Sequence, residues 1–298
     1  MKLLPVLLAG CLRDLPDLAD PCAPFPDPGL YRTKIERPDS RKRDPYVYVP
    51  GSAGPRDLVV LLHGAGMNGP DMADISGFVP LADREGFVVV YPNGLGWPLR
   101  DWNAGEAYDN GVDDVAFLDA LVEQVSPKVC GARVFAAGFS NGSMMAQRWA
   151  CEGESVDAVG GASGPLMVGG CGSGPVPVRY YHGTADPTVP IAGGEGSTLR
   201  DVVFPSADAA MGVWREVNGC APAGETVETT GDTTCTTYAC QAPTVQCVID
   251  GWGHRWPGGA AAARTTSAGA TGALWTFFDA SVPRADSTPP GGLPPSSN

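Results

Sequence analysis

Residues 133–149, RVFAAGFSNGSMMAQRW, read as strand, tight turn and helix in direct succession, and this order constrains the rest of the chain more than any other stretch. Arg133 to Ala137 is a short apolar run, as in a buried strand. Gly138-Phe139-Ser140-Asn141-Gly142 makes the turn, and Ser143 to Trp149 has helical character. A G-x-S-x-G turn between strand and helix lifts the serine hydroxyl out at the top of a sheet, because the glycines leave room for neighbouring backbone. The pattern alone is a weak signal, so the residues around it must carry the reading.

Other segments repeat the strand-then-loop theme. Leu58 to Leu62 and Phe87 to Tyr91 are continuous apolar runs of strand length, the pattern of parallel strands buried on both faces. The first ends in His63-Gly64-Ala65-Gly66, and Pro92 stops the second. Tyr46 to Val49 alternates as a half-buried strand, while Val156 to Ala162 and Val176 to Tyr181 read as later strands. Phe78 to Arg84, Val115 to Val125, Ala207 to Val217 and Ala268 to Phe278 carry helical spacing, with Asp113-Asp114 as a cap on the second of these. The polar, aromatic and Gly-rich loop from Asn93 to Asn110 is long enough to have a role of its own. Strands alternating with helices predict an α/β fold, with a mostly parallel central sheet covered by helices on both faces.

A net charge of −13 over 298 residues argues against a nucleic-acid surface, which needs clustered Lys and Arg. MKLLPVLLAGC reads as a short secretory segment, too short to span a bilayer, and Leu8-Ala9-Gly10-Cys11 resembles the lipobox in which the cysteine is lipidated. Four segments are therefore expected: 1–11 as lipoprotein signal peptide, 12–43 as a Pro/Asp-rich tether, 44–281 as the globular domain and 282–298 as a disordered Pro/Gly/Ser-rich tail. Membrane contact is expected only through the lipid on Cys11. With Cys11 set aside, the remaining eight cysteines favour disulfides. One pairing has a geometric basis: strands at Thr233 to Ala239 and Val245 to Ile249 would set Cys235 opposite Cys247.

A serine hydroxyl is a poor nucleophile at neutral pH and needs a histidine base, which in turn needs an acid to fix its tautomer. In α/β-hydrolases these follow in the order Ser, Asp or Glu, His. Asp186 lies just past the strand ending in His182-Gly183, and His254 follows in a Gly-flanked loop. Asp201 and Asp208 are rivals to Asp186, but neither directly follows a predicted strand. His182 reads as structural. Two other classes of function compete: a metal hydrolase using His63, His182 and His254, which lacks any H-E-x-x-H spacing, and a cell-surface binding protein without turnover on the same fold.

Taken together, Leu-Leu-His63-Gly64, Tyr91-Pro92-Asn93-Gly94, Trp102-Asn103, Val112-Asp113-Asp114-Val115, the Gly138 to Gly142 turn, His182-Gly183-Thr184-Ala185-Asp186 and Gly253-His254-Arg255-Trp256-Pro257-Gly258 occur in this order. Over roughly residues 44 to 280 the chain resembles the secreted polyhydroxybutyrate depolymerase and feruloyl esterase family of α/β-hydrolases, which overlaps carbohydrate esterase family one. The resemblance implies an exported serine esterase with no cofactor and no metal, with Ser140 as nucleophile, Asp186 as acid and His254 as base. Polyesters or feruloyl and acetyl esters of polysaccharides are the implied substrates, and a monomer is expected. Backbone N–H groups of Asn141 and Ala65 are the expected oxyanion donors. Trp102 and Trp256 either wall the acyl site or pack the base of their loops. Ser143 stands where the family commonly has a second glycine after the nucleophile; its Cβ narrows the space behind Ser140.

Overall fold

The apolar run at Leu58 to Leu62 lies within strand β4 (Arg56–Leu62), every residue of which is buried. The computed structural model describes residues 13–36, 43–95, 99–197, 201–222, 225–259 and 266–284. Parallel neighbours β5 (Val88–Tyr91) and β6 (Gly131–Phe139) flank β4, with Val60 level with Val90 on one side and Ala136 on the other. The parallel part continues through β7 (Ala158–Ala162), β8 (Val178–Gly183) and β13 (Thr244–Ile249).

Antiparallel strands finish both edges. Beyond β5 lie β3 (Tyr46–Val49) and β2 (Gly29–Arg32), with the two-residue β1 (Arg13–Asp14) parallel to β2. Beyond β13 lie β12 (Thr233–Tyr238) and β11 (Thr226–Thr230). Among the described residues this gives one eleven-stranded sheet and a separate small pair, β9 (Gly194–Glu195) with β10 (Val203–Phe204).

Because side chains alternate along a strand, each buried run feeds two cores. Leu58, Val60, Leu62, Val88 and Val90 pack with helices α3 (Asp114–Val125), α4 (Asn141–Glu152) and α5 (Ala207–Val217). Val59, Leu61, Val89 and Tyr91 pack with α1 (Gly69–Ser76), α2 (Phe78–Glu85) and α6 (Ala270–Ser281) on the other face. Burying each such Val or Leu contributes about 1.5–3 kcal/mol, so charging either face of β4 should prevent folding. The expected α/β-hydrolase architecture, a mostly parallel sheet between helical layers, is what the chain forms.

Residues 13–36 correct the expected tether. Their Pro and Asp content reads locally as linker, but Leu15, Phe25 and Tyr31 are buried, and β2 zips onto β3. The buried Arg56 guanidinium donates to the carbonyls of Pro21 (2.8 Å), Ala23 (2.8 Å) and Val129 (3.2 Å), and Cys22 is bonded to Cys130. Anchors so widely spaced leave no periodic trace in the sequence. Cys11 and residues 285–298 of the expected tail lie outside the described residues. Cys235 does face Cys247 across β12 and β13 and is bonded to it; the remaining pairs are Cys151–Cys171 and Cys220–Cys240. The capping expectation holds for Asp113, whose Oδ1 accepts the Ala116 N–H at 3.0 Å. Asp114 is instead buried against Arg43 and accepts the Asn103 N–H at 2.6 Å, tying the Trp102-Asn103 loop to α3.

Parallel register brings the strand ends into line. Leu62 is level with Gly138, Phe139 with Ala162, Ala162 with Tyr181, and Gly183 with Ile249. The loops after β4, β6, β8 and β13 thus emerge along one edge, the carboxyl edge where open α/β sheets place their sites.

Candidate active site

Between β6 and α4 the chain reverses through Ser140, whose backbone sits at φ 54°, ψ −126°. That conformation is costly for a residue with a side chain, by roughly 1–3 kcal/mol, and persists only where surrounding contacts impose it. Two close approaches do so: a Cβ on Gly138 would lie 2.2 Å from the Gly142 carbonyl oxygen, and one on Gly142 would lie 2.2 Å from that of Leu62. The Ser140 N–H is held by the Ala162 carbonyl at 2.9 Å, which fixes the turn to β7.

His254, in the loop after β13, places Nε2 2.9 Å from the Ser140 Oγ and Nδ1 2.8 Å from Asp186 Oδ2. The other carboxylate oxygen of Asp186 accepts the N–H groups of Thr188 (2.9 Å) and Val189 (3.0 Å). Burial by itself would raise the Asp186 pKa, but the hydrogen bond and charge of His254, with the Val189 N–H and His182, outweigh it and hold the carboxyl below its ordinary value. An ionised Asp186 can only accept, so His254 carries its proton on Nδ1 and presents Nε2 as acceptor to the Ser140 hydroxyl. The three residues expected from sequence therefore come together in one hydrogen-bonded line.

Asn141 heads α4, where a helical N–H has no acceptor within the helix. Its side chain has a task that the sequence did not signal: Oδ1 accepts the Trp102 N–H at 2.8 Å and Nδ2 donates to the Trp102 carbonyl at 3.1 Å. Ala65 is exposed in the loop after β4, between two glycines. A Cβ on Gly64 would lie 3.3 Å from Ser140 Cβ, and Gly66 donates its N–H to the Arg100 carbonyl at 2.7 Å.

Both tryptophans correct the substrate-wall reading. Trp102 is fully buried, donating its indole N–H to the His63 carbonyl at 3.0 Å. Trp256 is 4% exposed and donates to Thr271 Oγ1 at 3.0 Å. Each packs the base of its loop, since an indole with its N–H satisfied internally gains more from burial than from display. The apolar surface beside the elbow comes from other residues. Leu99 is 36% exposed and lies 3.7 Å from where a Gly66 Cβ would be; Met67 and Phe139 flank Gly64.

His63 and His182 each have both ring nitrogens engaged by groups other than Ser140. His63 Nε2 accepts the Gly94 N–H at 3.0 Å, so its Nδ1 carries the proton and donates to the Gly64 carbonyl at 2.8 Å, tying the loops after β4 and β5 together. Burial, assisted by the charges of Arg100 and Arg43 against a smaller opposing effect of the Gly64 carbonyl, pushes its pKa down to about 4. In the unfolded chain it titrates near 6.5. The folded pKa is the lower one, so the contribution is present above pH 6.5 and is lost as pH falls from 6.5 through 4. It amounts to about 3 kcal/mol. Urea midpoints should fall across this window and fall less in His63→Gln; a wild-type midpoint that stays level from pH 7 to 4 would contradict the assignment.

Known proteins resemble the chain along the same lines. The family model described as "Esterase PHB depolymerase" matches residues 45–179. Feruloyl esterase C of Emericella nidulans is 36% identical over 149 residues, 45% of this chain and 52% of that protein. The chain thus spans about half the length of that relative. "Putative esterase NocK" of Nocardia uniformis subsp. tsuyamanensis is 30% identical over 258 residues, 76% of this chain and 73% of that protein. Among solved structures, an acetyl xylan esterase from Aspergillus awamori superposes with a TM-score of 0.59 at 18% identity, covering 84% of this chain and 99% of that one, which is a likeness of fold. On the family match and the breadth of the second relative, the chain belongs to the esterase PHB depolymerase family.

Proposed function

We propose that this protein hydrolyses carboxylic esters through an acyl-enzyme on Ser140. The observation that carries the reading is the line Asp186–His254–Ser140, with bonds of 2.8 and 2.9 Å. His254 Nε2 takes the Ser140 proton as Oγ adds to the ester carbonyl. The resulting oxyanion is held by the N–H groups of Asn141 and Ala65, each worth about 2.7–4 kcal/mol of transition-state stabilisation. The proton passes from His254 to the leaving alcohol oxygen as the C–O bond breaks; water then repeats the sequence and frees the acid. No cofactor enters these steps.

Feruloyl and acetyl esters of polysaccharides, or hydroxyalkanoate polyesters, are the proposed substrates, in line with the relatives' names. The apolar rim at Leu99 and Met67 suits an aromatic or short acyl group. Four disulfides suit an oxidising compartment and support an exported protein, and the Leu8-Ala9-Gly10-Cys11 sequence supports Cys11 as its lipid anchor. Labelled palmitate should then stay with wild-type protein and be absent from Cys11→Ala.

Methyl ferulate, acetylated xylan, hydroxybutyrate oligomers and p-nitrophenyl esters should be assayed side by side. Turnover of at least one of the first three is expected, with inactivation by a serine-directed phosphonate and indifference to chelators. Loss with chelator and resistance to phosphonate would favour a metal hydrolase; no turnover of any ester would favour a binding protein. Leu99→Ser should lower feruloyl relative to acetyl turnover, and an unchanged ratio would remove Leu99 from the acyl site.

A further inference from the structure

Behind the catalytic line lies a second imidazole that the reaction does not use. His182, on β8, is 1% exposed, and its Nε2 faces the Val189 carbonyl oxygen at 2.8 Å. A carbonyl can only accept, so Nε2 carries the proton and Nδ1 must accept from the Tyr180 hydroxyl, 2.5 Å away. The same Nε2 is 3.7 Å from Asp186 Oδ2, the oxygen that His254 uses. Burial lowers the His182 pKa, which keeps the ring neutral in the neutral range with this tautomer. Tyr180 is fully buried and its pKa is raised well above the ordinary value, chiefly by desolvation, so it remains a donor.

At the elbow helix, the Gly164 carbonyl accepts from Ser143 Oγ at 2.7 Å and from Gln147 Nε2 at 2.8 Å, and Gln147 Oε1 accepts the Trp214 indole N–H at 3.0 Å. Ser143 is fully buried, and its hydroxyl occupies the place where a Cβ on Gly161 would stand, 2.1 Å away. The serine at this position is thus accommodated by the glycine opposite and joins the elbow helix to the segment after β7. Hydrogen bonds from α4 thus hold Gly164, and a separate set runs from the Tyr180 hydroxyl through His182 to the turn that presents the acid.

We propose that His182, oriented by the Tyr180 hydroxyl, is a positioning residue for Asp186 and holds the Asp186–Val189 turn. This rests on the esterase reading above. Holding the Val189 carbonyl fixes the residue whose own N–H binds Asp186 Oδ1, so one imidazole restrains the turn on both sides of its peptide chain. Loss of that restraint lets the carboxylate drift, and a misplacement of about 1 Å can lower the rate by about 10²-fold.

The test uses purified wild type, His182→Gln, His182→Phe and Tyr180→Phe, with steady-state hydrolysis of p-nitrophenyl acetate and the downfield proton resonance of His254 Nδ1–H. In His182→Phe, kcat should fall about 10²-fold with KM within twofold, and the resonance should move or broaden. His182→Gln, which returns an N–H toward Val189, should recover most of kcat. Tyr180→Phe removes one hydroxyl, keeps the packing, and should fall between Gln and Phe. The proposal is overturned if Tyr180→Phe and His182→Gln keep wild-type kcat while the resonance is unmoved in every folded variant, or if Gln is no better than Phe. Absence of turnover in wild type would instead count against the esterase reading, and the resonance would still report whether His182 positions Asp186.

Discussion

Asp186→Asn should lower kcat by about 10⁴-fold, close to 5.5 kcal/mol in activation free energy, while the protein stays folded. The reason lies in the asymmetry of the carboxylate. Oδ1 accepts two backbone N–H groups, from Thr188 and Val189, and only an oxygen can satisfy them. An asparagine at this position must therefore turn its NH₂ toward His254. Facing a donor, His254 Nδ1 becomes an acceptor, its proton moves to Nε2, and the ring can no longer take the Ser140 proton. The KM for p-nitrophenyl acetate should change little, because nothing that contacts substrate has moved. A drop of less than tenfold would mean that Asp186 is a turn residue and that the acid lies elsewhere.

Removing the Cys22–Cys130 bond should give the largest stability loss among the four disulfides. Its sequence separation is 108, against 20, 20 and 12 for the others. Loop-closure entropy then assigns it about 5 kcal/mol and each of the others about 3 kcal/mol. The paired variant Cys22→Ser/Cys130→Ser should lose on the order of 10 °C in Tm. Two features limit the damage to a folded protein: Arg56 still binds the Pro21 and Ala23 carbonyls, and Phe25 and Tyr31 still pack edge to face. Calorimetry of all four paired variants would read the ranking; equal losses would show that native packing, and not chain entropy, sets these contributions.

The inner sheet was legible because its signals are local. Five-residue apolar runs at Leu58 and Phe87 can be satisfied only by burial on both faces, and the Gly-x-Ser-x-Gly turn marks its own geometry. The order of Ser140, Asp186 and His254 could be read because each lies in a loop that follows a strand visible in the sequence. What escaped depends on distance. Residues 13–36 look like linker until Arg56, fully buried in β4, is seen to need their carbonyls. The α1 cap, in which Asn68 and Asp71 exchange side-chain bonds to backbone, was present in the sequence as Asn-Gly-Pro-Asp but resembled a loop. Trp102 and Trp256 could not be placed from sequence, since an indole serves equally as wall or wedge until its N–H partner is known. His182 showed only that it ended a strand; its work depends on Tyr180, two residues earlier, and on Val189 beyond the turn.

Acylation of Ser140 is the central claim, and acid-quenched mass spectrometry of the enzyme during turnover of p-nitrophenyl acetate tests it most directly. The wild type should show one acetyl adduct, mapping to the peptide that contains Ser140, and Ser140→Ala should show none, with kcat lower by about 10⁴- to 10⁶-fold. An adduct on any other residue, or Ser140→Ala turning over at the wild-type rate, would contradict it.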